Sequence, residues 1–432
     1  RQDDIKKLVI TNNRRLQKLK EQQAMHGIDT PPATLLEIEN IQAELAGLEA
    51  EFNQLEAALP PETEPAEDEP AAPGESPFKG LQFFDVADSK LFFGREQLTA
   101  KLMDHLRQSS FLAIVGASGS GKSSLARAGL VAALRQGTPL VDGSLPPEGS
   151  RNWLMYTITP TAAPLESLAL SLTQNAVDIM ETATLIDGLQ KDPRCLHLSA
   201  RKLLAKSSIS PPPKLFLLID QFEELFTLCH NKAERRAFVN NLLTAIESPG
   251  TGTDGGSMIV AITLRADFYA HCGQYERLRE LLENCQKYIG PMNPAELRQA
   301  IEQPAHQSDW HFAPGLVDLL LRDVGADGIR QPEPGALPLL SHALLETWKR
   351  RRGRYLTLAG YNAAGRVDGA IAKTAEDTFQ GLALNQQPIA RNIFLRLTEL
   401  GEGTQDTRRR ATLAELIPQA KAKPEVETVL KV

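Results

Sequence analysis

The sequence GASGSGKSS, from Gly116 to Ser124, has the residue types and the spacing to bind phosphate groups. It matches the pattern G-x-x-x-x-G-K-[S/T] at every fixed position. Glycines let the backbone turn tightly, so that its N–H groups face the phosphate oxygens, and a helix N-terminus adds partial positive charge. Lys122 would reach the terminal phosphates and Ser123 would bind Mg²⁺. We predict a phosphate-binding loop formed by Gly116, Ala117, Ser118, Gly119, Ser120, Gly121, Lys122, Ser123 and Ser124.

The acidic stretch LLIDQFEELF, Leu217 to Phe226, would complete such a site. Its apolar run is typical of a buried strand, and burying the acid that ends it, Asp220, is costly unless a cation lies beside it. A Mg²⁺ ion at the nucleotide would be that cation, bound by Asp220 directly or through water. At least one of Glu223 and Glu224 should polarise the attacking water. We favour Glu223 slightly, and the other glutamate is equally well interpreted as a structural or solvated carboxylate.

A basic residue ends another apolar run. MIVAITL is followed by Arg265, Ala266 and Asp267. Because Arg265 would lie at the end of a neighbouring strand, it is placed to interact with the γ-phosphate, and we predict a catalytic role for it beside Lys122. The alternative interpretation is a salt bridge from Arg265 to Asp267 or to another acid.

Short apolar runs separated by longer amphipathic stretches would position these motifs. FLAIV, WLMYTIT, LFLLI, MIVAITL and KYIG predict the strands of a mostly parallel sheet covered by helices. From about Asn293 the strand signals fade and helical patterns dominate. We therefore predict an α/β core over residues 78–290, a helical domain over 291–352 and a small helical or winged-helix domain over 353–432.

The N-terminal part has a different pattern. Residues 1–59 predict an α-helical hairpin, with a helix end and a new helix start in GIDTPP, Gly27 to Pro32. Its second helix has an uninterrupted a/d seam of Ile38, Ile41, Leu45, Leu48, Phe52, Leu55 and Leu59. The hairpin would either pack against another surface or act as a spacer. Residues 60–77 are rich in proline and acid and lack aromatic residues, so they predict a disordered or extended linker.

Composition sets limits on the possible partners. The net charge of −7 over 432 residues does not indicate a general affinity for nucleic acid or for an anionic membrane. The four cysteines are scattered without a CxxC pair, which suits a reducing compartment and argues against a zinc site. We see no apolar run long enough for a membrane span. These observations together favour a cytoplasmic protein.

The order of motifs resembles the STAND class of P-loop NTPases, specifically the bacterial novel STAND group. The resemblance covers most of residues 78–432 and is carried by LFFGRE, the phosphate loop, LLIDQFEELF, ITLRADFY, IGPMNPAELRQAIEQPA, PGALPLLSHAL, YNAAGRVDGAIAKTAE and FLRLTELGEGTQDTRRRA. It implies a P-loop NTPase core of the AAA+/STAND type, followed by a helical domain and a winged helix, closed over ATP or ADP with Mg²⁺.

The resemblance also implies roles for particular residues. Gly94 and Arg95 would lie near the adenine or the phosphates, Pro338 would pack on the adenine, and Arg265 would be the first phosphate sensor. Thr407 to Arg410 (TRRR) would belong to the winged helix, either facing the nucleotide or as a solvated basic segment. Two features depart from the family pattern. No acid directly follows Asp220, and His306, His311 and His342 do not lie in an ADP-sensing winged-helix motif.

The function that this resemblance implies is a slow ATPase switch. ADP would hold a closed monomer, and ATP would allow a homo-oligomer to assemble. The assembly would relay a signal from a sensor to an effector outside this chain, in bacterial defence or programmed cell death.

Two other functions stay open from the sequence. One is an ATP-dependent, DNA-binding transcription regulator that uses the winged helix. KRRRGR, Lys349 to Arg354, and TRRR keep this alternative open, because binding to a nucleic-acid backbone needs only a local basic face. The other is a nucleotide-binding scaffold that does not hydrolyse ATP. The guanine-specificity motif and the ABC-type signature are both missing from the sequence.

Lys122→Ala should abolish nucleotide binding, because Lys122 is predicted to contact the terminal phosphates. Calorimetric titration with ADP and with ATP measures the effect. An affinity equal to that of the unchanged protein would refute the phosphate-loop assignment.

Overall fold

The computed structural model describes two units of the chain, Arg1–Pro65 and Ala66–Val432. In the first unit it describes Ile38, Ile41 and Gly47, all in helical conformation. The rest of the predicted hairpin over residues 1–59 lies outside the described residues. In the second unit the described residues are 69–174, 179–205, 209, 213–247, 257–326, 335–399, 407–408, 411, 413–417 and 423–431.

A five-stranded parallel sheet forms the centre of the second unit, and this confirms the predicted α/β core. All five apolar runs form strands. The sheet order is β2-β3-β4-β1-β5, with β1 at Phe111–Gly116, β2 at Leu154–Ile158, β3 at Leu215–Ile219, β4 at Met258–Arg265 and β5 at Gln286–Ile289. Every residue of β1 and β3 is buried, as expected of central strands with both faces covered.

Helices cover both faces of the sheet because alternate strand residues point to opposite sides. Phe111, Ala113 and Val115 of β1 pack into one apolar cluster, and Leu112 and Ile114 into another. The helices and turns of this region are α1 (Glu96–Gln108), α2 (Lys122–Ser124), a π-helical segment (Leu125–Val131), α3 (Ala132–Gln136), α4 (Pro164–Leu172), α5 (Ile179–Lys191), α6 (Cys195–Leu204), α7 (Glu224–Thr227), α8 (Lys232–Glu247), α9 (Tyr269–Cys272), α10 (Glu276–Cys285) and 3₁₀ turns at Val86–Leu91, Ser150–Asn152 and Ala266–Phe268.

A helical region follows β5 and has its own core around Trp310, Leu320 and Tyr361. Its elements are α11 (Pro294–Gln307), β6 (His311–Phe312), α12 (Leu316–Asp323), α13 (Ala336–Lys349), β7 (Tyr355–Leu356), α14 (Leu358–Ala364) and α15 (Arg366–Gly381). Tyr361 and Val367 are buried in the same core as Leu340 of α13. The helical layer therefore continues beyond residue 352, where the sequence predicts its end.

The last described elements are α16 (Gln387–Leu397), β8 (Thr398–Glu399), β9 (Thr407–Arg408), α17 (Leu413–Leu416) and α18 (Lys423–Lys431). β8 and β9 pair antiparallel. The winged helix over residues 353–432 stays a prediction. Across the part of the chain that the structure describes, none of the helices combines the length and the apolar character needed to span a bilayer.

Residues 69–78 pack along the helical region, so residues 69–77 do not have the disordered form of the linker predicted over residues 60–77. Ala72 N donates to Gly353 O at 2.9 Å, and Trp310 Nε1 donates to Glu75 O at 3.3 Å. At Gly74, which has φ of +154°, an added Cβ would lie 2.6 Å from the Trp310 ring. This segment has no core of its own, but an isolated β-bridge joins Ala71 to Gly353, and glycine allows close contact with the indole.

Asn241 on α8 holds three helices together. It is fully buried. Its Oδ1 accepts from Leu196 N of α6 at 3.1 Å, and its Nδ2 donates to Leu189 O of α5 at 2.7 Å and to Ala237 O at 2.9 Å.

Asn241→Leu should lower the free energy of unfolding by about 2–3 kcal/mol, because it leaves a buried N–H group and buried carbonyls unpaired. Denaturant unfolding measures the change. The control is Asn240→Leu at the adjacent, partly exposed position, where a surface substitution should cost no more than about 0.5 kcal/mol. Equal losses in the two variants would contradict this role of Asn241.

Candidate nucleotide-binding site

The phosphate loop begins where β1 ends, between β4 and β5. Gly116 is in register with Arg265 on one side and Ile289 on the other. Gly119 and Gly121 have φ of +74° and +85°, in the left-handed region that glycine adopts without strain. Lys122 Nζ donates to Gly116 O at 3.0 Å and Ala117 O at 2.6 Å. The backbone of the loop thus folds around the ammonium group of Lys122, which it binds through two carbonyl oxygens.

Asp220 at the end of β3 is almost completely buried, with 1% of its surface exposed. Its Oδ1 accepts from Ser123 Oγ at 2.9 Å and from Thr263 Oγ1 at 2.7 Å. The two residues predicted to bind Mg²⁺ are therefore in direct contact. Thr263 Oγ1 also accepts from Gln221 N at 2.8 Å, and Gln221 has a positive φ of 56°. Such a backbone costs of order 1–3 kcal/mol in a residue other than glycine, so the turn after Asp220 is held by its surroundings.

Arg127, in the π-helical segment, provides the cation beside Asp220 in this structure. Its Nε donates to Asp220 Oδ2 at 2.8 Å. The guanidinium lies 4.6 Å from the Phe83 ring centre and 3.7 Å from an Asp85 oxygen. Sequence reasoning assigned the cation to Mg²⁺ alone and missed Arg127. The only feature of the sequence that pointed to Arg127 is that it is the single charged residue within the apolar run LARAGLVAAL.

The two glutamates differ in their surroundings, although both line the same cleft. Glu223 Oε2 accepts from Arg265 N at 3.3 Å. Burial raises the pKa of Glu223, against the opposing charges of Lys122 and Arg265. Burial lowers the pKa of Lys122, and Glu223 is the strongest of the charges that oppose this effect. The charge of Glu223 thus acts on the phosphate-loop lysine.

The Arg265 side chain binds Asp267. Arg265 Nε donates to Asp267 Oδ1 at 3.1 Å and its Nη2 to Oδ2 at 2.6 Å. This is the salt bridge weighed as the alternative to a γ-phosphate contact. Both residues also line the cleft, so the pair lies beside the phosphate loop.

The cleft has a volume of about 860 Å³ and is lined from both the sheet region and the helical region. A Cβ added at Gly119 would lie 3.1 Å from Pro338 Cγ and 3.2 Å from Gly335 Cα. Pro338 therefore packs directly on the phosphate loop and borders the cleft. The adenine contact that the family resemblance implies for Pro338 stays a prediction. Aromatic side chains of Phe83, Phe84, Phe92 and Phe93 line the cleft as well and could bind the base.

Gly94 and Arg95 join α1 to α11. Arg95 Nη2 donates to Gly290 O at 2.8 Å, and its Nη1 lies 3.7 Å from Glu296. A Cβ at Gly94 would lie 2.3 Å from Glu296 O. Arg95 borders the cleft, whereas Gly94 mainly allows the close approach of α11.

Most of the basic run Lys349 to Arg354 makes contacts within the chain. Lys349 and Arg350 pair with Glu346, Arg354 pairs with Asp309, and the Arg351 guanidinium lies 3.8 Å from the Trp348 ring centre. Lys349, Arg350 and Arg354 are therefore engaged by carboxylates of the same chain, and Arg351 by an aromatic ring. In the TRRR segment, Thr407 and Arg408 form β9, and Arg409 and Arg410 lie outside the described residues.

The residues of the cleft fit a nucleotide with Mg²⁺. Ser120 Oγ is buried in the loop without a hydrogen-bond partner, which suits a donor that faces a ligand. The Ser123 hydroxyl and the Asp220 carboxylate are hard oxygen ligands of the kind that Mg²⁺ uses together with water and phosphate oxygens. The described residues contain no cluster of three or more His, Cys, Asp or Glu side chains arranged for a metal.

The parallel sheet and its phosphate loop define a P-loop NTPase. A family model described as Novel STAND NTPase 1 matches residues 77–432. The chain belongs to this family. The resemblance seen in the motifs is thereby confirmed.

The solved structures that match the chain have low sequence identity and low TM-scores. The ORC2 protein of Aeropyrum pernix is 15% identical, with 78% of this chain and 92% of that chain covered and a TM-score of 0.40. A Walker-type ATPase of Pyrococcus abyssi is 13% identical, with 83% and 100% covered and a TM-score of 0.42. The RuvB Holliday junction branch migration motor of Thermotoga maritima is 13% identical, with 73% and 80% covered and a TM-score of 0.35. No curated protein matches the chain.

Arg127→Met should lower the free energy of unfolding by about 3 kcal/mol without Mg²⁺, because it leaves the buried Asp220 charge without its ion partner. Mg²⁺ added with ADP should recover more stability in this variant than in the unchanged protein, since it brings a replacement cation to Asp220.

Thermal unfolding with ADP alone and with Mg²⁺·ADP measures both effects. The matched control is Arg366→Met, which removes an arginine paired with Asp323 outside the cleft. Asp323 is also a mostly buried carboxylate, with 12% of its side chain exposed. The Arg127 interpretation would be wrong if the two variants gained equally from Mg²⁺.

Proposed function

We propose that the chain is an ATP/ADP-dependent signalling switch that hydrolyses ATP slowly and assembles into a homo-oligomer when ATP is bound. The observation that carries the proposal is the position of Pro338 and Gly335 on Gly119. A nucleotide bound to the phosphate loop would contact the helical region as well as the sheet region. Its identity would therefore affect how the two regions fit together.

The physical basis of the switch is a difference in affinity. A ligand shifts a conformational equilibrium only by the ratio of its affinities for the two states. ADP and ATP differ at the γ-phosphate, which Lys122 would contact, and Glu223, Arg265 and Asp267 line the same cleft. The charges of Glu223, Arg265, Asp267 and Asp220 all influence the pKa of Lys122.

Hydrolysis would use Glu223 as the group that orients and deprotonates the attacking water. Glu223 must be ionised for this role. Because burial raises its pKa, turnover should fall on acidification at a higher pH than an exposed glutamate would give. Lys122 and Arg265 would stabilise charge on the phosphate oxygens, and Mg²⁺ held by Ser123 and Asp220 would neutralise the rest.

Assembly and signal relay are supported by family membership. The chain belongs to the Novel STAND NTPase 1 family over residues 77–432. The sensor and the effector would lie outside this chain, and the process would be bacterial defence or programmed cell death. In the basic run that kept a DNA-binding regulator open, Lys349, Arg350 and Arg354 pair with carboxylates of the chain and Arg351 packs on Trp348. These contacts hold the side chains within the chain, which is the arrangement we expect if the run is structural.

Glu223→Gln should abolish ATP turnover while keeping ATP binding, because the amide cannot accept the proton from water. Phosphate release and solution mass, measured with ADP and with ATP, test the function. In this trapped state ATP should give an oligomer and ADP a monomer.

The matched control is Glu224→Gln, which should keep most of the ATP turnover of the unchanged protein. If Glu223→Gln is a monomer with ADP and also with ATP, the switch proposal is overturned. Loss of turnover in Glu224→Gln alone would reassign the water-activating role to Glu224.

A further inference from the structure

We propose that Asp267 competes with the γ-phosphate for Arg265 and so sets the preference of the site for ADP over ATP. The inference rests on the proposed function, in which Arg265 contacts the γ-phosphate. It assigns to Asp267 a specificity role that the motif itself does not indicate.

The first observation is the geometry of the pair. β4 ends at Arg265, and the 3₁₀ turn Ala266–Phe268 brings Asp267 back beside it. Two nearly parallel N–H···O bonds, at 3.1 and 2.6 Å, join the guanidinium to the carboxylate. Arginine binds carboxylates and phosphates with the same bidentate pair of hydrogen bonds. Asp267 therefore occupies donors that a γ-phosphate would use.

A second contact holds Arg265 in this position. Its guanidinium carbon lies 5.3 Å from the centre of the Phe268 ring, within the range of a cation–π interaction. The carboxylate of Asp267 and the ring of Phe268 therefore both contact the guanidinium. Arg265 is thus held by two residues that lie two and three positions after it in the chain.

The location makes this pair relevant to the nucleotide. Arg265, Asp267 and Phe268 all line the cleft that contains the phosphate loop. The charges of Arg265 and Asp267 both influence the pKa of Lys122, the residue that would contact the terminal phosphates. Asp267 therefore lies in the electrostatic environment of the γ-phosphate.

The sign of the effect follows from charge. Burial raises the pKa of Asp267 most strongly, but the hydrogen bonds from Arg265 and the charges of Arg265 and Lys122 outweigh it and leave that pKa below its usual value. Asp267 is consequently a carboxylate at neutral pH. It would repel a γ-phosphate and also compete for its arginine. ADP has no γ-phosphate. The repulsion and the competition for Arg265 therefore weaken the binding of ATP but not that of ADP.

A remote pair in the same chain provides a matched control. Arg194 and Asp192 have the same separation in sequence and a similar two-bond geometry, with Nε to Oδ1 at 3.1 Å and Nη2 to Oδ2 at 2.8 Å. Neither residue lines the cleft. Exposed pairs of this kind contribute little to stability, so Asp192→Asn tests the effect of losing such a pair anywhere on the surface.

The experiment measures dissociation constants for Mg²⁺·ADP and for a non-hydrolysable Mg²⁺·ATP analogue, on protein stripped of nucleotide. The variants are Asp267→Asn, Asp267→Ala, Asp192→Asn, Arg265→Ala and the double variant Arg265→Ala/Asp267→Asn. Asp267→Asn and Asp267→Ala should each raise the affinity for the ATP analogue relative to ADP about fivefold, which corresponds to about 1 kcal/mol. Asp192→Asn should leave the ratio unchanged.

Arg265→Ala separates this inference from the proposed function. It should weaken binding of the ATP analogue relative to ADP. In the Arg265→Ala background, Asp267→Asn should then raise the relative affinity for the ATP analogue by less than fivefold. If Arg265→Ala shifts the ratio but Asp267→Asn does not, the competition by Asp267 is refuted and the function stands. If Arg265→Ala leaves the ratio of the two affinities unchanged, the competition by Asp267 and the γ-phosphate contact of Arg265 in the proposed function both fail. A lower relative ATP affinity in Asp267→Asn would also refute competition, because it would mean that Asp267 orients Arg265 toward the phosphate.

Discussion

The buried carboxylate of Asp220 is the constraint on which the site depends. A charge with 1% exposure is stable only when its oxygens are paired. Ser123 and Thr263 donate to one oxygen and Arg127 to the other. These partners come from the helix after the phosphate loop and from the neighbouring strand. The carboxylate thus fixes that helix against the sheet.

Arg127 extends this constraint beyond the sheet. Its guanidinium lies 4.6 Å from the Phe83 ring centre, and Phe83 lines the cleft. Phe84 N donates to Ser124 Oγ at 3.1 Å, so the same segment also contacts the helix of the phosphate loop. On the other side, Pro338 packs on Gly119. A nucleotide in the cleft would therefore be surrounded by elements that are already linked to Asp220.

The sequence predicted much of this arrangement and failed where pairing depends on tertiary contacts. The strands were predictable because central parallel strands need continuous apolar runs, as in LFLLI. The phosphate loop was predictable because its glycines and lysine have one chemical use at that spacing. Arg127 was missed because one arginine in an apolar helix does not reveal which carboxylate it meets. The composition of residues 69–77 predicts a linker because it provides no core, and the backbone pairing of this segment with Gly353 leaves no compositional signal.

The most direct test of the account is hydrogen exchange of residues 116–124 and 335–344, without nucleotide and with Mg²⁺·ADP or Mg²⁺·ATP. The account predicts that nucleotide protects both segments together, because it would bind between the phosphate loop and the helix that carries Pro338. It also predicts that the two nucleotides protect residues 335–344 to different extents. Protection confined to residues 116–124, equal for ADP and ATP, would contradict a site closed by the helical region.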